Sequence, residues 1–510
     1  MKILDKKISV IILAIISIIA ASCTKNFNDL NTNPALVSEK MIKTDNLFSK
    51  VQKESMFTIP DFDRISEFAG FMSNESSGFP FQEADYGEPF TTYYRVYLSN
   101  LNEVIRLTED PVKSNKNAMA RIFKAWLFQN LTDIYGDIPY FEAAKSGDAF
   151  VASPKYDKQE DIYKDLLKEL KEAAAQLISD PSKETFGAAD LLFGGDVNAW
   201  IKLANSLRLR LAIRTRYADN ALAQAQISDV INAALIEENA ENARLLSEPK
   251  DAPNRNNRSP IINAINDGVT LGNYFSFTVL EILALNNDPR MPVYFQLPKQ
   301  IDASSAIPYR ARPINPSGPI NARYSRDSVS MIGKFFEASQ FSFNMLTAAE
   351  VSFLKAEAAL AGLIADDANT HYRKGIRLAM EQYNIPEASI DDFMLSGAAT
   401  LNGTNEEKLE QTIVQKYISL VYQSTEAWTE YRRTGYPKMW LGSGPTDTEG
   451  KVPRRLTYPA EEYSKNGINV NEAVSKFSGG DKLTSRVWWD AKTGVPYIHP
   501  RQNIYPPESW

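Results

Sequence analysis

Cys23 is the only cysteine of this 510-residue chain, and its surroundings indicate what its thiol can do. Small residues occupy positions 20–22, as a processing peptidase requires, and a thiol can carry an acyl group. Three lysines precede an apolar run over residues 8–21. This run is shorter than the roughly 20 residues of a membrane-spanning helix and has the length of a signal-peptide core. We therefore predict a signal peptide over residues 1–22 and lipidation at Cys23.

The residues around Cys23 resemble the lipobox of bacterial lipoproteins, with Ala20 where that motif prefers leucine. Stable anchoring by acyl groups requires more than one chain, and bacterial lipoproteins carry three. Residues 23–39 are polar and turn-rich, so we expect them to form a tether between the lipid and the folded domain. The alternative is an ordinary cleaved signal peptide followed by an incidental cysteine.

Few residues have the types and spacing that catalysis needs. The chain has two histidines, His371 in a predicted helix and His499 in a predicted loop, and no G-x-S-x-G motif. Two histidines without a free cysteine do not make a zinc site, and FGGD at residues 193–196 lacks the lysine of a phosphate-binding loop. A glycosidase-type pair among the 63 acidic residues stays open. We predict no enzyme activity, no cofactor and no metal.

Aromatic side chains in loop-like stretches are the main candidates for ligand contacts. Sugars present apolar C–H faces that planar rings can cover, while their hydroxyls reach polar neighbours. One aromatic group falls within residues 74–97, a second at residues 273–277, and further tyrosines follow. The predicted ligand-binding residues are Tyr86, Phe90, Tyr94, Tyr274, Phe275 and Tyr324. The alternative is that these rings pack the loops onto the helices.

Helices must position these loops. TAAE at residues 347–350 is a capping box, and the helix–turn–helix over residues 354–386 has the length of a tetratricopeptide (TPR) repeat. Apolar spacing predicts the other helices over residues 118–134, 159–178, 197–217, 221–238 and 405–433. Charged side chains on these helices are expected to be solvated or ion-paired, among them Arg208, Arg210, Arg214, Arg216, Glu430, Arg432 and Arg433.

Composition narrows the fold and the partners. The 44% hydrophobic and 23% charged fractions are those of a soluble globular protein. A net charge of −7 without basic runs argues against nucleic acid as a partner. Long stretches rich in Pro, Gly and aromatics predict functional loops at residues 74–97, 250–345 and 435–510. We predict a mainly α fold with TPR-like helix pairs and a large irregular, loop-rich subdomain, forming one domain over residues 40–510.

Short motifs occur along essentially the whole mature chain. They are FNDLNTNP (27–34), TDIYGDIPY (132–140), ANSLRLRL (204–211), TAAE (347–350), KAEA (355–358), QKY (415–417), EAW (426–428), EYRRTGYP (430–437) and PRR (453–455). No single motif is decisive, but together they resemble those of the SusD/RagB family of outer-membrane nutrient-binding lipoproteins from Bacteroidetes-type bacteria, in particular its second branch.

The resemblance implies about four TPR-like pairs and a lid over a TonB-dependent, SusC-like transporter in the outer membrane. The protein would pass a glycan, or in some members a peptide, to that transporter. The family's ligand-contact residues match no motif in this chain, so none is carried over. Surface-exposed members have an acidic run after the lipidated cysteine, whereas residues 24–29 are only weakly acidic. We expect a lipid-anchored, surface-exposed protein; peptide capture and a TPR-type scaffolding role without a small ligand are the alternatives.

Overall fold

The computed structural model describes residues 43–59, 63–74, 81–84, 86–145, 149–260, 273–300, 307–315, 324–442 and 444–502. The chain divides into a unit of residues 1–44, of which only the last two are described, and a unit of residues 45–510. The predicted signal peptide, Cys23 and the tether lie outside the described residues.

Helices form most of the described chain. In order they are α1 Thr44–Thr58, α2 Asp63–Phe68, α3 Gly87–Thr92, α4 Ser99–Leu107, α5 Ser114–Tyr135, α6 Gln159–Ser179, α7 Val197–Thr215, α8 Asn220–Val230, α9 Phe277–Leu285, α10 Met291–Tyr294, α11 Ala348–Leu360, α12 Ala368–Gln382, α13 Glu387–Met394, α14 Asn405–Ser419, α15 Ser424–Thr434, α16 Ala460–Lys465 and α17 Gly467–Val474. A π-helical segment, Tyr93–Leu98, joins α3 to α4. Short 3-10 helices occur at Pro111–Lys113, Gly187–Ala189, Asn239–Glu241, Arg255–Asn257, Lys334–Glu337 and Gly397–Ala399.

The strands are short and pair two by two. They are β1 Met72–Asn74, β2 Ile138–Pro139, β3 Tyr156–Asp157, β4 Ala243–Leu246, β5 Asn273–Phe275 and β6 Ser342–Leu346. β1 pairs antiparallel with β5, β2 with β3, and β4 with β6. None of these ribbons extends to a third strand within the described ranges, so helices carry the architecture.

Long helices that follow one another in the chain pack as pairs. α5 contacts α6, α7 contacts α8, α11 contacts α12, and α14 contacts α15. The pairs are joined because α6 also packs on α7, α11 packs on both α7 and α14, and α15 returns to α5. The predicted mainly α class with TPR-like pairs is therefore confirmed. Within the described part of the chain, no helix is both long and apolar enough to cross a membrane.

Two predicted helices end earlier than the sequence pattern suggested. α8 stops at Val230, and the single helix predicted over residues 405–433 is broken into α14 and α15. The break contains Tyr422 with φ of +61°, a left-handed conformation that a right-handed helix cannot include. The separate direction of α15 lets it contact α2 and α5, so tertiary packing overrides the local pattern.

The segment predicted as a loop over residues 74–97 is helical from Gly87 onward. Pro89 lies in the first turn of α3, where its missing N–H costs no hydrogen bond. Phe90, Tyr93 and Tyr97 follow at spacings of three and four residues and are all buried. Aromatic residues at helical spacing thus place this segment against the core.

Five helices meet at a buried group of charged side chains that we call the ionic centre. It comprises Asp133, Arg210, Arg214, Glu350, Glu357, Lys416, Glu426, Glu430 and Arg433. Arg210 binds the two oxygens of Glu350 through Nε and Nη2 at 2.7 and 2.6 Å. Arg433 binds Glu357 at 2.6 and 2.7 Å and Glu430 at 3.1 and 2.6 Å. Such two-point contacts fix the helices in direction as well as distance.

Arg432 is an exception to the ion pairing expected on α15. Its guanidinium carbon lies 3.6 Å from the ring centre of Trp428, and its Nη1 donates to the carbonyl oxygens of Asp133 and Arg454 at 2.6 and 2.8 Å. Burial lowers its pKa to about 9. Glu430 and Arg433 form an ion pair with each other, in line with the expected ion pairing, whereas Arg432 stacks on an aromatic ring and binds the backbone.

Candidate functional site

A cavity of about 490 Å³ lies between the α3–α4 segment, the β2–β3 connection and α16. We call it the Phe90 cavity. It is lined by Phe90, Thr91, Tyr94, Arg95, Ser99, Pro139, Ala143, Ala144, Lys145, Phe150, Ala152, Pro154, Glu461, Glu462, Lys465 and Asn466. Its volume falls in the range of small-molecule sites in proteins, about 300–1,000 Å³.

Aromatic rings form one wall of the Phe90 cavity. The ring centres of Phe90 and Tyr94 are 4.8 Å apart, and Phe90 also packs edge-on against Tyr135 at 5.2 Å. The Tyr94 hydroxyl donates to the carbonyl oxygen of Pro139 at 2.6 Å, which holds this ring against the β2–β3 connection. Phe150 is 66% exposed although it lines the cavity, so its ring is available to a ligand.

Charged groups form another part of the cavity lining. Lys465 pairs with Glu461, and the Tyr156 hydroxyl donates to Glu462 at 2.7 Å. Burial and the nearby Glu462 carboxylate raise the pKa of Tyr156 and of Tyr94, so both phenols stay neutral. The wall therefore offers hydrogen-bond donors and acceptors to hydroxyl groups, beside rings that can cover an apolar face.

The β2–β3 connection is held in place from three sides. Asp157 accepts hydrogen bonds from the backbone N–H groups of Tyr140 and Phe141 at 3.0 and 2.9 Å. Asn466 donates to the carbonyl oxygen of Pro154 at 2.8 Å. On the third side, the Asn102 side chain donates a hydrogen bond to the carbonyl oxygen of Ala144 at 2.9 Å. These bonds preform the cavity wall; residues 146–148 of the connection lie outside the described residues.

Of the predicted ligand-binding residues, the structure brings Phe90 and Tyr94 together in this cavity. Tyr86 lies close in sequence but does not line it: its side chain is 7% exposed and its hydroxyl donates to the carbonyl oxygen of Gln82 at 2.9 Å. Contact of these residues with a ligand stays a prediction.

The other predicted aromatics lie in a second region, around the β1–β5 ribbon. Ser73 of β1 stands opposite Tyr274 of β5, so the second aromatic group pairs with a strand that ends at Asn74, where the first predicted loop begins. However, Tyr274, Phe275 and Tyr324 are 0%, 0% and 2% exposed. Residues 75–80 and 261–272, which adjoin the two strands in sequence, lie outside the described residues. Ligand binding by these three residues also stays a prediction.

Several cavity residues were not singled out from the sequence. They are Arg95, Lys145, Phe150, Glu461, Glu462 and Lys465. Phe150 falls in the long insertion between the helices predicted over residues 118–134 and 159–178, and the length of this insertion is the sequence feature that could have identified it. Glu461 and Glu462 lie more than 360 positions after Phe90, and no local pattern links such distant segments.

The histidines take structural positions. His371 Nε2 lies 3.0 Å from the carboxylate of Asp366, and His499 Nε2 lies 2.7 Å from that of Glu281. Across the described ranges, no group of three or more His, Cys, Asp or Glu side chains is arranged to hold a metal ion.

Within the described ranges, four TPR-like helix pairs and a loop-rich remainder that carries a surface cavity define the class of the fold. The family model SusD-like, described as starch-binding and associating with the outer membrane, matches residues 36–459, and the chain belongs to this family. The resemblance read from the sequence motifs is thus confirmed. No curated protein matches the sequence.

Solved structures of the same fold cover nearly all of the chain. A chitin-binding protein is 29% identical with a TM-score of 0.77, covering 88% of this chain and 100% of its own. A SusD homologue from Bacteroides uniformis is 27% identical with a TM-score of 0.71, covering 88% and 98%. A chitin-binding SusD homologue from Flavobacterium johnsoniae, 23% identical with a TM-score of 0.74 over 89% and 99%, shares the fold.

Proposed function

We propose that the protein captures an oligosaccharide in the Phe90 cavity at the outer membrane and passes it to a TonB-dependent transporter. The observation that carries this proposal is the composition of the cavity, whose lining combines aromatic rings with charged and polar hydrogen-bonding groups. Membership of a family described as starch-binding and outer-membrane-associated supports it. The protein acts by binding and release, without catalysis.

The cavity chemistry suits a sugar. Phe150 and the Phe90–Tyr94 pair would cover apolar C–H faces, while Arg95, Glu461 and the neighbouring polar groups exchange hydrogen bonds with hydroxyls. Because the charged groups are accessible to water before binding, each new hydrogen bond replaces one to solvent and adds little free energy. We expect modest affinity, which suits a carrier that must release its ligand.

Chitin-derived oligosaccharides are the first ligands to test, because a structure with 29% identity is that of a chitin-binding protein. Binding to the soluble chain from Thr24 onward is measured by calorimetry against oligosaccharides of chitin, starch and other glycans, and against a peptide library. We expect a glycan to bind and Phe150→Ala to weaken it about tenfold, the value of one well-placed aromatic contact.

Phe141→Ala is the matched control, since Phe141 is 46% exposed and does not line the cavity. Equal losses in both variants would place the glycan elsewhere. A peptide that binds in place of any glycan would keep the transport role and change the nutrient. If no panel member binds but a folded protein partner does, the scaffolding alternative is favoured.

The anchor and the transporter are tested separately. Cys23→Ala should move the protein from the membrane fraction to the soluble fraction, because the thiol that carries the acyl groups is gone. Retention of the variant in the membrane fraction would contradict lipidation. Detergent extracts of the wild type should contain the protein in complex with an outer-membrane barrel; its isolation without one, while glycan binding persists, would contradict the delivery step.

A further inference from the structure

A second cavity, of about 330 Å³, lies among the repeat helices and shares no lining residue with the Phe90 cavity. The C-terminal end of α9, α12, the Gly397–Ala399 turn and α14 surround it. It is lined by Asn286, Tyr372, Gly397, Ala398, Asn402, Gln411, Val414 and Gln415. None of these side chains is charged and four end in a carboxamide, so we call it the amide cavity.

Contacts within the protein leave particular ends of these amides free. Asn286 donates to a backbone carbonyl of its own helix at 2.9 Å, and Asn402 to one in its own loop at 2.8 Å, so each keeps its Oδ1 as an acceptor. Gln415 accepts from Arg290 Nη2 at 2.6 Å through Oε1 and keeps its Nε2 as a donor. Among the residues that the structure describes, these three free atoms have no partner.

Arg290 stands behind the cavity wall and fixes the orientation of Gln415. It is fully buried and binds Asp288 through Nε and Nη2 at 2.9 and 2.6 Å, so the pair is neutral. Because Arg290 can only donate, the Gln415 oxygen must face it and the amide nitrogen must face away. Arg290 Nη1 is itself buried without a hydrogen-bond partner in the described part of the chain. Buried donors of this kind are completed by water or by a bound molecule.

We propose that the amide cavity binds the acetamido group of an N-acetylated sugar. The acetamido carbonyl would accept from Gln415 Nε2, its N–H would donate to Asn286 or Asn402, and its methyl group would lie near Val414. A carboxylate or an ammonium group would find no counter-charge among the lining residues. The volume, near the lower end for ligand sites, accommodates one sugar ring.

The cavity is less suited to a peptide. Extended peptides bind along a free strand edge or a long groove. Here the backbone of Asn402 is already paired with the side chain of Gln411, which donates to its carbonyl at 2.8 Å and accepts from its N–H at 3.2 Å. The site is additional to the Phe90 cavity and does not depend on ligand binding there.

The test uses small probes in the Phe150→Ala background, which weakens any contribution from the Phe90 cavity. Ligand-observed NMR titrations compare methyl N-acetylglucosaminide with methyl glucoside and with an N-acetylated dipeptide amide. We expect the N-acetyl sugar to bind at least about tenfold more tightly than either, because the glucoside lacks the acetamido group and the flexible dipeptide loses more conformational entropy on binding than a rigid ring. Equal affinity for the glucoside or the dipeptide, or no binding of the N-acetyl sugar, would overturn the proposal.

Two variants locate the site. A side chain added at Gly397 meets no atom within 4 Å at its Cβ, so Gly397→Phe should fold and fill the cavity. Gln415→Glu retains an oxygen for Arg290 and removes the free donor. Each should weaken N-acetyl-sugar binding at least about tenfold, while Val112→Phe, at a 64% exposed position outside both cavities, should not. Unchanged binding in Gly397→Phe would overturn the assignment, and loss of oligosaccharide binding in Phe150→Ala alone would concern only the Phe90 cavity.

Discussion

The ionic centre and the Phe90 cavity both contain arginine and acidic side chains, but these side chains are buried in the first region and exposed to water in the second. At the centre, Arg214 and Arg433 are fully buried; Arg214 contacts three carboxylates and Arg433 contacts two. At the cavity, Arg95 and Glu461 are exposed to water. Removal from water makes each charge dependent on its partners, whereas an exposed charge keeps its hydration and can exchange it for a ligand.

Burial and pairing, not residue type, therefore distinguish a charged side chain with a structural role from one that is available for binding. Although burial opposes ionisation, Arg433 and Lys416 lower the pKa of Glu430 below its ordinary range, so this carboxylate stays charged inside the protein. Carboxylates held in this way position helices. The cavity carboxylates have neither the burial nor the number of partners, and in our proposal they are the ones that bind the ligand.

Breaking the ionic centre should have the largest effect. Arg214→Ala leaves Asp133 and Glu426 buried without their main cation, and we expect the free energy of unfolding to fall by about 3–5 kcal/mol. Urea unfolding followed by circular dichroism measures the change. Arg95→Ala at the cavity is the control and should stay within about 0.5 kcal/mol. Similar losses in both variants would contradict the distinction.

Arg432→Lys tests whether the buried site next to the ionic centre needs a guanidinium or only a positive charge. Lysine cannot stack a planar cation on Trp428 and present the same fork of donors to the carbonyls of Asp133 and Arg454. We expect the free energy of unfolding to fall by about 2 kcal/mol, which corresponds to the loss of one charge-assisted hydrogen bond and of the stacking on the ring. Arg95→Lys should show no change, and a neutral result for both would indicate that charge alone is sufficient.

Two tyrosines allow a matched comparison of the regions. Tyr163 donates to Asp133 at the centre and Tyr156 to Glu462 at the cavity. Tyr163→Phe removes a hydrogen-bond donor from a fully buried carboxylate and should lower the free energy of unfolding by about 1–3 kcal/mol. For Tyr156→Phe we expect about 1 kcal/mol or less, because water can replace the lost donor. In thermal and urea unfolding, Tyr163→Phe should lose more stability than Tyr156→Phe. The reverse order would contradict the role assigned to burial.

A surface ion pair sets the lower limit. Burial raises the pKa of Glu237, but hydrogen bonds from Lys355 and Lys374 outweigh it and lower that pKa to about 2. A carboxylate whose pKa is lower in the folded than in the unfolded protein stabilises the fold at pH values above its unfolded-state pKa. This contribution is lost as the pH falls toward its folded-state pKa. The advantage of wild type over Glu237→Gln should therefore shrink between about pH 5 and pH 3. It should stay below about 1 kcal/mol at neutral pH, since Glu237 is 43% exposed. An advantage that does not change with pH would exclude this origin.

Local patterns were sufficient where a helix depends on its own residues. α6 begins at the predicted residue and ends one residue later, because its apolar residues recur at helical spacing. The T-x-x-E pattern at residues 404–407 forms a capping box, with both reciprocal bonds between Thr404 and Glu407 present. At Thr347 only half of the box forms: its hydroxyl accepts from the Glu350 N–H, while the Glu350 carboxylate binds Arg210.

The sequence by itself determined the helical class, the paired helices and the family to which the chain belongs, because spacing, caps and short motifs act over a few residues. Only the tertiary structure decided that Tyr422 interrupts a helix, that the arginines of α7 face inward, and that Phe90 shares a cavity with Glu461. Each of these depends on contacts between segments far apart in the chain. The free energy of burying or exposing a charge is set by such neighbours, and no local spacing records it.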